Sequence, residues 1–358
     1  DAGNAAGYRD NEYLAAGATI TGDRAEIFAT ADIVLQVQSF GSNNENSADD
    51  LAMIRQGQLI IGMMDPLASP QAALDVAGKG ATAIALELVP RISRAQSMDV
   101  LSSMATLAGY KAVLMGASAS PRIFPLLMTA AGTLQPARVL IMGVGVAGLQ
   151  ACATAKRLGA VVEAYDVRPA AREQILSVGA KPVELDLDTG ESEGAGGYAK
   201  AQGEDFLQRQ RELMTAVVAE QDIIITTAAI PGAKSPILVT EDMVVAMKSG
   251  SVIVDLAAER GGNCDLTEQG QTIVAHGVTI IGPENVPSDL PYHASQMYGK
   301  NMETLLALIL SDNGELELNF DDEIVAGTVV AHHGEIPHGH MRKLLDLPEL
   351  NTTESEKD

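Results

Sequence analysis

"VLIMGVGVAGLQACATAKRLGAVVEAYDVRP", Val139 to Pro169, is the stretch that decides the fold. An apolar run stops at Gly143-x-Gly145-x-x-Gly148, a helix-forming segment follows, Gly159 is placed to end it, and a second apolar run stops at Asp166. A lone Gly pattern of this type is weak evidence, but here strand, turn, helix and strand follow in the order that a dinucleotide fingerprint requires. The first Gly allows a tight turn, the second lets backbone approach a pyrophosphate, and the third lets helix and strand pack closely. Val146 and Ala147 then stand at the helix amino end, where free N–H groups and the positive dipole end suit phosphate. Asp166 is spaced as an acid that takes ribose hydroxyls; it would repel a 2′-phosphate and so favours NAD(H) over NADP(H). Arg168 leaves three readings open: a pair with Asp166, a place along the adenine, or a phosphate acceptor.

Working outward, "ARVLIMG", "AVVEAYD", "KPVEL", "DIIITTA", "SVIVDLA" and "VTIIG" form a series of short apolar runs from Arg138 to Gly282, separated by helical segments or loops. Such runs read as buried strands of a parallel sheet. A second series, "IVLQV", "LIIGMM" and "ATAIALEL", lies between Thr19 and Leu88 and alternates with "DDLAMIRQGQ" and "SPQAALDVAGKG". The expected fold class is therefore α/β, with two Rossmann-like, doubly wound parallel-sheet domains. No strand precedes "DAGNAAGYRD", so the first strand and helix of the first sheet are expected to lie outside the chain. Late in the chain "HASQMYGKNMETLLALILSD" reads as a helix and "ELELNFDDEIVAGTVV" as two strands around an acidic turn. The expected division is 1–100 with 290–345 as a discontinuous first domain, 101–289 as the dinucleotide domain, and 346–358 as an acidic tail or linker.

The chain has 358 residues, 46% of them hydrophobic, enough for two cores. A net charge of −23 repels phosphate backbones and argues against a nucleic-acid partner. Cys152 and Cys264 have no second ligand at metal spacing and read as core thiols of a reducing compartment; no metal site is expected. No apolar run reads as long enough for a membrane span, and the start at Asp1 carries no signal region. Both ends are expected to be cut from a longer polypeptide.

"PRISRAQSMDVLSS", Pro90 to Ser103, supports two readings of one residue. Ser93 and Gln96 fit a capping box at a helix start. Yet at about 100° per residue Met98, Leu101, Ala105, Ala108, Ala112 and Met115 share an apolar face, while Gln96, Asp99 and Ser102 form a polar stripe running back toward Arg91, as a ligand site would need. Two loops are similarly ambiguous. "GAGGYAK", with Gly197 and Tyr198, is either a flexible surface loop or a lid that excludes water from a cofactor. "TTAAIPG", with Ala228 and Ala229, follows a strand where loops border the ligand crevice, or is an ordinary turn.

Dehydrogenases of hydroxy or amino acids normally place a His or Lys as acid/base, because a proton moves with the hydride. The first His of this chain is His276, and those of "AHHGEIPHGH" read as surface positions. Lys79 and Lys111 remain as substitutes. The shortage favours hydride exchange that needs no proton, such as one between two nicotinamide rings, where positioning and dryness are the protein's task.

Together "RISRAQSMDVLSS…AGY", "GVGVAGLQA…AKRLGA", "AYDVRP", "GGYAK", "TTAAIPG" and "VIVDLAAERGGN" closely resemble the NAD(H)-binding domain I of proton-translocating nicotinamide nucleotide transhydrogenases, over nearly the whole chain. The resemblance implies NAD(H) in a cleft between two Rossmann-like domains, and hydride transfer to NADP(H) on a separate domain III, coupled to proton movement by a membrane domain II. It implies that Gln96 contacts the nicotinamide, supported by Arg91, Asp99 and Ser102. It further implies cofactor contacts from Ser97, Met98, Gly143, Gly145, Val146, Ala147, Gly148, Asp166, Val167, Arg168, Gly197, Tyr198, Ala228 and Ala229. A homodimer is implied too, as is a place on the cytoplasmic face of a bacterial inner membrane or the equivalent face of an organelle membrane. On this reading Gln96 begins in the cap with Ser93 and leaves it when cofactor binds. Alanine dehydrogenase is the alternative. That family uses Lys and His in its first domain and an Asp near "AAERGGN", where this chain has Gln38, no His in "LIIGMMDPLA", and Glu259. A third possibility is a nucleotide-binding subunit without turnover.

Overall fold

The computed structural model describes residues 2–43, 45–185, 203–230 and 232–349. The chain separates into two compact units, one from the residues up to Ser103 together with those from Tyr292 onward, the other Met104–Pro291.

In the first unit β1 (Ile33–Gln38), β2 (Leu59–Met63) and β3 (Thr82–Ala85) pair in parallel, and Val329–Ala331 adds antiparallel to β3. β2 and β3 are almost wholly buried, which is why they read as unbroken apolar runs. Their core includes Phe28, Val34, Ile60, Val76, Ala83, Val330 and Met341. The helix Pro291–Ile309 buries Tyr298, Asn301, Met302, Leu305 and Ile309, a spacing of three and four that defines one face.

The "ELELNFDDEIVAGTVV" segment corrects the expectation of two strands. Leu316 makes only an isolated bridge to Leu310, and Glu323–Thr328 is a helix. Asp322, expected in a turn, accepts from the Ile324 N–H at 2.8 Å and so caps that helix. Only Val329–Ala331 is a strand.

The second unit opens with a hairpin, β4 (Leu127–Thr129) and β5 (Gly132–Leu134). Its main sheet contains β6 (Arg138–Met142), β7 (Val161–Tyr165), β8 (Lys181–Pro182), β9 (Ile223–Thr226), β10 (Val252–Asp255), β11 (Thr272–Ala275) and β12 (Val278–Ile281). The order is β11-β12-β10-β9-β6-β7-β8. Leaving aside antiparallel β11, the chain order of the strands reads 3-2-1-4-5-6, that of a doubly wound dinucleotide fold. The expected fold class is borne out. Alternate residues of β6 serve opposite cores: Val139 and Ile141 join Ala151, Cys152 and Val162, while Leu140 and Met142 join Met214, Val218 and Met243. Edge strand β11 and the hairpin escape a sequence reading, since their short, half-exposed runs carry little apolar signal.

The helix Val100–Ala119 qualifies by length and hydropathy as a membrane span, which corrects the expectation of no such run. It is a core helix in its second half, where Ala112 and Val113 pack on Val139, Ile223 and Val254. The packing face also differs from the expected stripe. A Cβ on Gly109 would collide with the Ala147 carbonyl, and one on Gly116 would crowd Ile223, so glycines let this helix lie close. Ala112 belongs to both faces; the others were assigned by apolarity, which cannot register a bare glycine surface.

Candidate functional site

β6 ends at Met142, and the chain turns at Gly143 with φ +92°, a left-handed conformation that disfavours any side chain. A Cβ on Gly148 would strike the Gly143 carbonyl, so the helix Val146–Arg157 can approach the strand only with glycine there. Gly145 is different: a Cβ on it would meet no atom within 4 Å. It is exposed and begins the helix without a side-chain cap. The N–H groups of Val146, Ala147 and Gly148 have no partner within the helix and surround a bare backbone, which fits a pyrophosphate.

Asp166 ends β7 beside this turn. Its Oδ2 accepts from Val144 N at 2.7 Å and Arg168 Nη2 at 2.9 Å, while Oδ1 accepts from Arg168 N and Nε, each at 2.9 Å. Arg168 Nη2 also donates to the Val144 carbonyl at 3.0 Å. Of the three readings left open for Arg168, the structure selects the pair with Asp166. Both side chains are largely buried, 14% and 6% exposed, so the pair is screened little by water. Tyr165, Asp166, Val167, Arg168 and Leu185 line a cavity of about 230 Å³ at this strand end, large enough for part of a nucleoside.

The "TTAAIPG" loop is joined to the Gly turn. Thr227 Oγ1 donates to the Gly143 carbonyl at 2.9 Å. Asn263 then grips Ala228 on both sides, accepting from its N–H at 3.0 Å and donating to its carbonyl at 2.9 Å. Buried Asp255 holds Asn263 in turn: its carboxylate accepts from the N–H groups of Ala257, Asn263 and Cys264 and from the hydroxyls of Thr226 and Thr267. Asp255, Asn263 and Thr227 are site residues that sequence reasoning misses. The available signal was an acid closing a buried strand, as Asp166 closes β7. Ala229 is exposed beyond this anchor, and Gly197 and Tyr198 lie outside the described residues.

In the first unit the "RISRAQSMD" segment is a 3-10 turn, Ser93–Met98, with Gln96, Ser97 and Arg91 exposed and Met98 buried. The capping-box reading of Ser93 and Gln96 is corrected. Short-range bonds such as Asp99 N–H to the Gln96 carbonyl (3.3 Å) use the turn's amides, and the helix starts later, at Val100. Asp99 is the group at its start: Oδ1 accepts from Ser102 N at 2.9 Å and Oδ2 from Ser102 Oγ at 2.6 Å. Asp99 and Ser102 thus meet each other, while the Gln96 side chain stands on the exposed side of the turn.

The histidines of the tail are not simply surface residues, as the sequence suggested. His332 Nδ1 lies 2.9 Å from Thr82 Oγ1, and His338 Nδ1 accepts from Met341 N at 3.2 Å, capping the helix Gly339–Leu344. Burial, then a neighbouring His in each case, holds both below the usual imidazole range. Lys111 pairs with Asp289 at 3.4 Å. Burial pushes Cys152 up to about 12 and Cys264 up to about 11, so both are inert thiols.

A doubly wound sheet with this glycine turn, an uncapped helix start and an acid closing the second strand defines a dinucleotide-binding protein of the Rossmann class. Family models described as alanine dehydrogenase/PNT, N-terminal domain and alanine dehydrogenase/PNT, C-terminal domain match residues 1–108 and 112–339. The chain is 48% identical over 339 residues to the first of the separate chains that make up NAD(P) transhydrogenase subunit alpha in Rhodospirillum rubrum, covering 94% of this chain and 88% of that one. A crystal structure of transhydrogenase from Sinorhizobium meliloti matches with a TM-score of 0.82 and 44% identity over 94% of this chain and 89% of that one. A solved L-alanine dehydrogenase shares the fold, with a TM-score of 0.77 and 23% identity over 96% of this chain and 89% of that one. The chain belongs to the alanine dehydrogenase/PNT family, and within it to the transhydrogenase alpha-subunit group.

Proposed function

We propose that this chain is the NAD(H)-binding component of a proton-translocating NAD(P) transhydrogenase, exchanging hydride directly with NADP(H) held on a partner domain while a membrane domain couples the exchange to proton movement. The observation that carries the reading is the Ser93–Met98 turn, which exposes a neutral amide, Gln96, where an amino-acid dehydrogenase needs an acid/base group. The 48% identity to a transhydrogenase subunit supports the same choice.

In this proposal the bare backbone at Gly145, with the N–H groups of Val146, Ala147 and Gly148, holds the pyrophosphate. Asp166, Val167 and Arg168 bound the adenosine, and the loop at Ala228 and Ala229, fixed through Asn263, borders the dinucleotide. Bound NAD(H) supplies the hydride donor or acceptor carbon. Gln96, offering both donors and an acceptor, orients the nicotinamide, with Ser97 and Met98 beside it and Arg91, Asp99 and Ser102 supporting the turn. Gly197 and Tyr198 belong to the same site by resemblance. The complex is membrane-associated and this component faces the bacterial cytosol or its organelle equivalent. It is dimeric, which the apolar hairpin β4–β5 supports: Met128 is 82% exposed, with Leu126, Leu127 and Leu134 beside it.

Rapid mixing of the NADH-loaded chain with a purified NADP-binding domain carrying an NADP⁺ analogue tests the reading, with pyruvate plus ammonium as a parallel acceptor. Hydride transfer only with the partner domain is expected. NADH oxidation by pyruvate and ammonium alone would make the chain an amino-acid dehydrogenase.

A further inference from the structure

The turn that carries Gln96 is held from two sides by residues remote in sequence. On one side Arg94 forms a bidentate pair with Asp322, Nη1 to Oδ2 at 2.7 Å and Nη2 to Oδ1 at 2.6 Å. Asp322 is itself fixed, because its Oδ1 also accepts from Ile324 N at the start of a helix whose Ile324, Val325 and Thr328 are buried. On the other side Asn301, 5% exposed, donates from Nδ2 to the Ser97 carbonyl at 2.8 Å. The two anchored positions, 94 and 97, flank Gln96, whose own side chain stays exposed.

Asn301 is an expensive way to fill that place. Its Oδ1 is buried and has no hydrogen-bond partner among the described residues, a loss that an apolar side chain of similar size would avoid. The Arg94–Asp322 pair is likewise a poor contributor to stability, since Arg94 is 48% exposed and such pairs are screened by water. Neither contact is explained by stability, yet both restrain the same few backbone atoms. A planar fork and a buried amide are directional, and direction is what holding a short turn in one geometry requires.

We infer that Arg94, Asp322 and Asn301 are positioning residues that clamp the Ser93–Met98 turn so that Gln96 meets its ligand in one orientation. The inference rests on the reading of Gln96 as a nicotinamide-contacting group. Because reacting rings must approach closely, a turn that shifts by about 1 Å is enough to slow transfer on the order of a hundredfold without loosening the remote adenosine end. The clamp therefore acts on the transfer step and leaves NADH affinity nearly intact.

The test is single-turnover hydride transfer from saturating NADH on the full chain to an NADP⁺ analogue on the partner domain, with NADH affinity and melting temperature measured in parallel. The variants are Asn301→Leu, Arg94→Ala, Asp322→Asn, Gln96→Ala and the double variant Asn301→Leu/Gln96→Ala. Asp322→Asn keeps an oxygen to cap Glu323–Thr328 while removing the bidentate partner, and Arg94→Ala changes an exposed residue, so the question survives if Asn301→Leu folds poorly. Expected are losses of about 10- to 100-fold in each clamp variant, NADH affinity within about twofold, and a double variant no slower than Gln96→Ala alone. Normal rates in the clamp variants alongside a slow Gln96→Ala would overturn the clamp and leave Gln96's role standing. Losses that multiply in the double variant would also overturn it, since the residues would then act independently. A Gln96→Ala chain that transfers normally would remove both the clamp and the role assigned to Gln96.

Discussion

Four hydrogen bonds end on the Asp166 carboxylate, from Val144 N and from three nitrogens of Arg168. A carboxylate offers about four acceptor directions, so a ribose diol can bind Asp166 only by displacing the Arg168 guanidinium. Arg168→Ala should therefore tighten NADH binding about three- to tenfold, and should sharpen rejection of NADPH because the acid is no longer neutralised. Calorimetric titration with both nucleotides checks this; weaker NADH binding would mean that Arg168 touches the nucleotide itself. Gln96 gives a second expectation at this scale. Since it caps nothing, Gln96→Glu should leave the melting temperature within about 2 °C. It should nevertheless slow hydride transfer at least tenfold, about 1.4 kcal/mol in the barrier, as read by the rapid-mixing assay. Asp166 and Gln96 were legible as residues because each stands in a local pattern. The partner that occupies Asp166 was narrowed only to three alternatives, because a flexible guanidinium two residues away can reach several places.

Among the elements, the helix Val100–Ala119 and the helix Val146–Arg157 meet where Gly109 faces the Ala147 carbonyl. Gly109→Ala forces a methyl group into backbone that cannot rotate away, and should cost about 1–3 kcal/mol by denaturant titration while displacing the turn at Gly145 and weakening NADH binding. The short helix Gly339–Leu344 depends on a neutral imidazole, because His338 caps it by accepting from Met341 N. Burial, followed by the nearby His340, lowers His338 from its reference value of 6.5. The folded state thus disfavours the proton: the contribution is complete above about pH 6.5 and is lost as pH falls through the lower folded value. His338→Asn keeps a capping oxygen, so its stability should vary less between about pH 7 and pH 5 than that of the parent chain. Elements were legible where apolar runs were long. They were misread at "ELELNFDDEIVAGTVV" because alternation suggested strands, whereas Asp322 as a cap, engaged by Arg94, set a helix start that no window of neighbouring residues specifies.

For the whole molecule, the hairpin β4–β5 places Met128 and its leucine neighbours in water. Met128→Lys should leave each chain folded but shift a dimer toward monomer, measured by sedimentation; an unchanged mass would locate the dimer contact elsewhere. The sequence by itself determined that there are two parallel sheets and where the glycine turn and its acid fall, because strands buried on both faces must be continuous apolar runs and a turn with positive φ must use glycine. Tertiary structure alone decided that Gly109 rather than an apolar stripe seats the long helix, that Asp255 and Asn263 hold the Ala228 loop, and that Arg94 and Asn301 grip the turn beside Gln96. The physical reason is distance along the chain: those last two contacts join residues 228 and 204 positions apart, and a hydrogen bond of that separation leaves no periodic trace in either segment it joins.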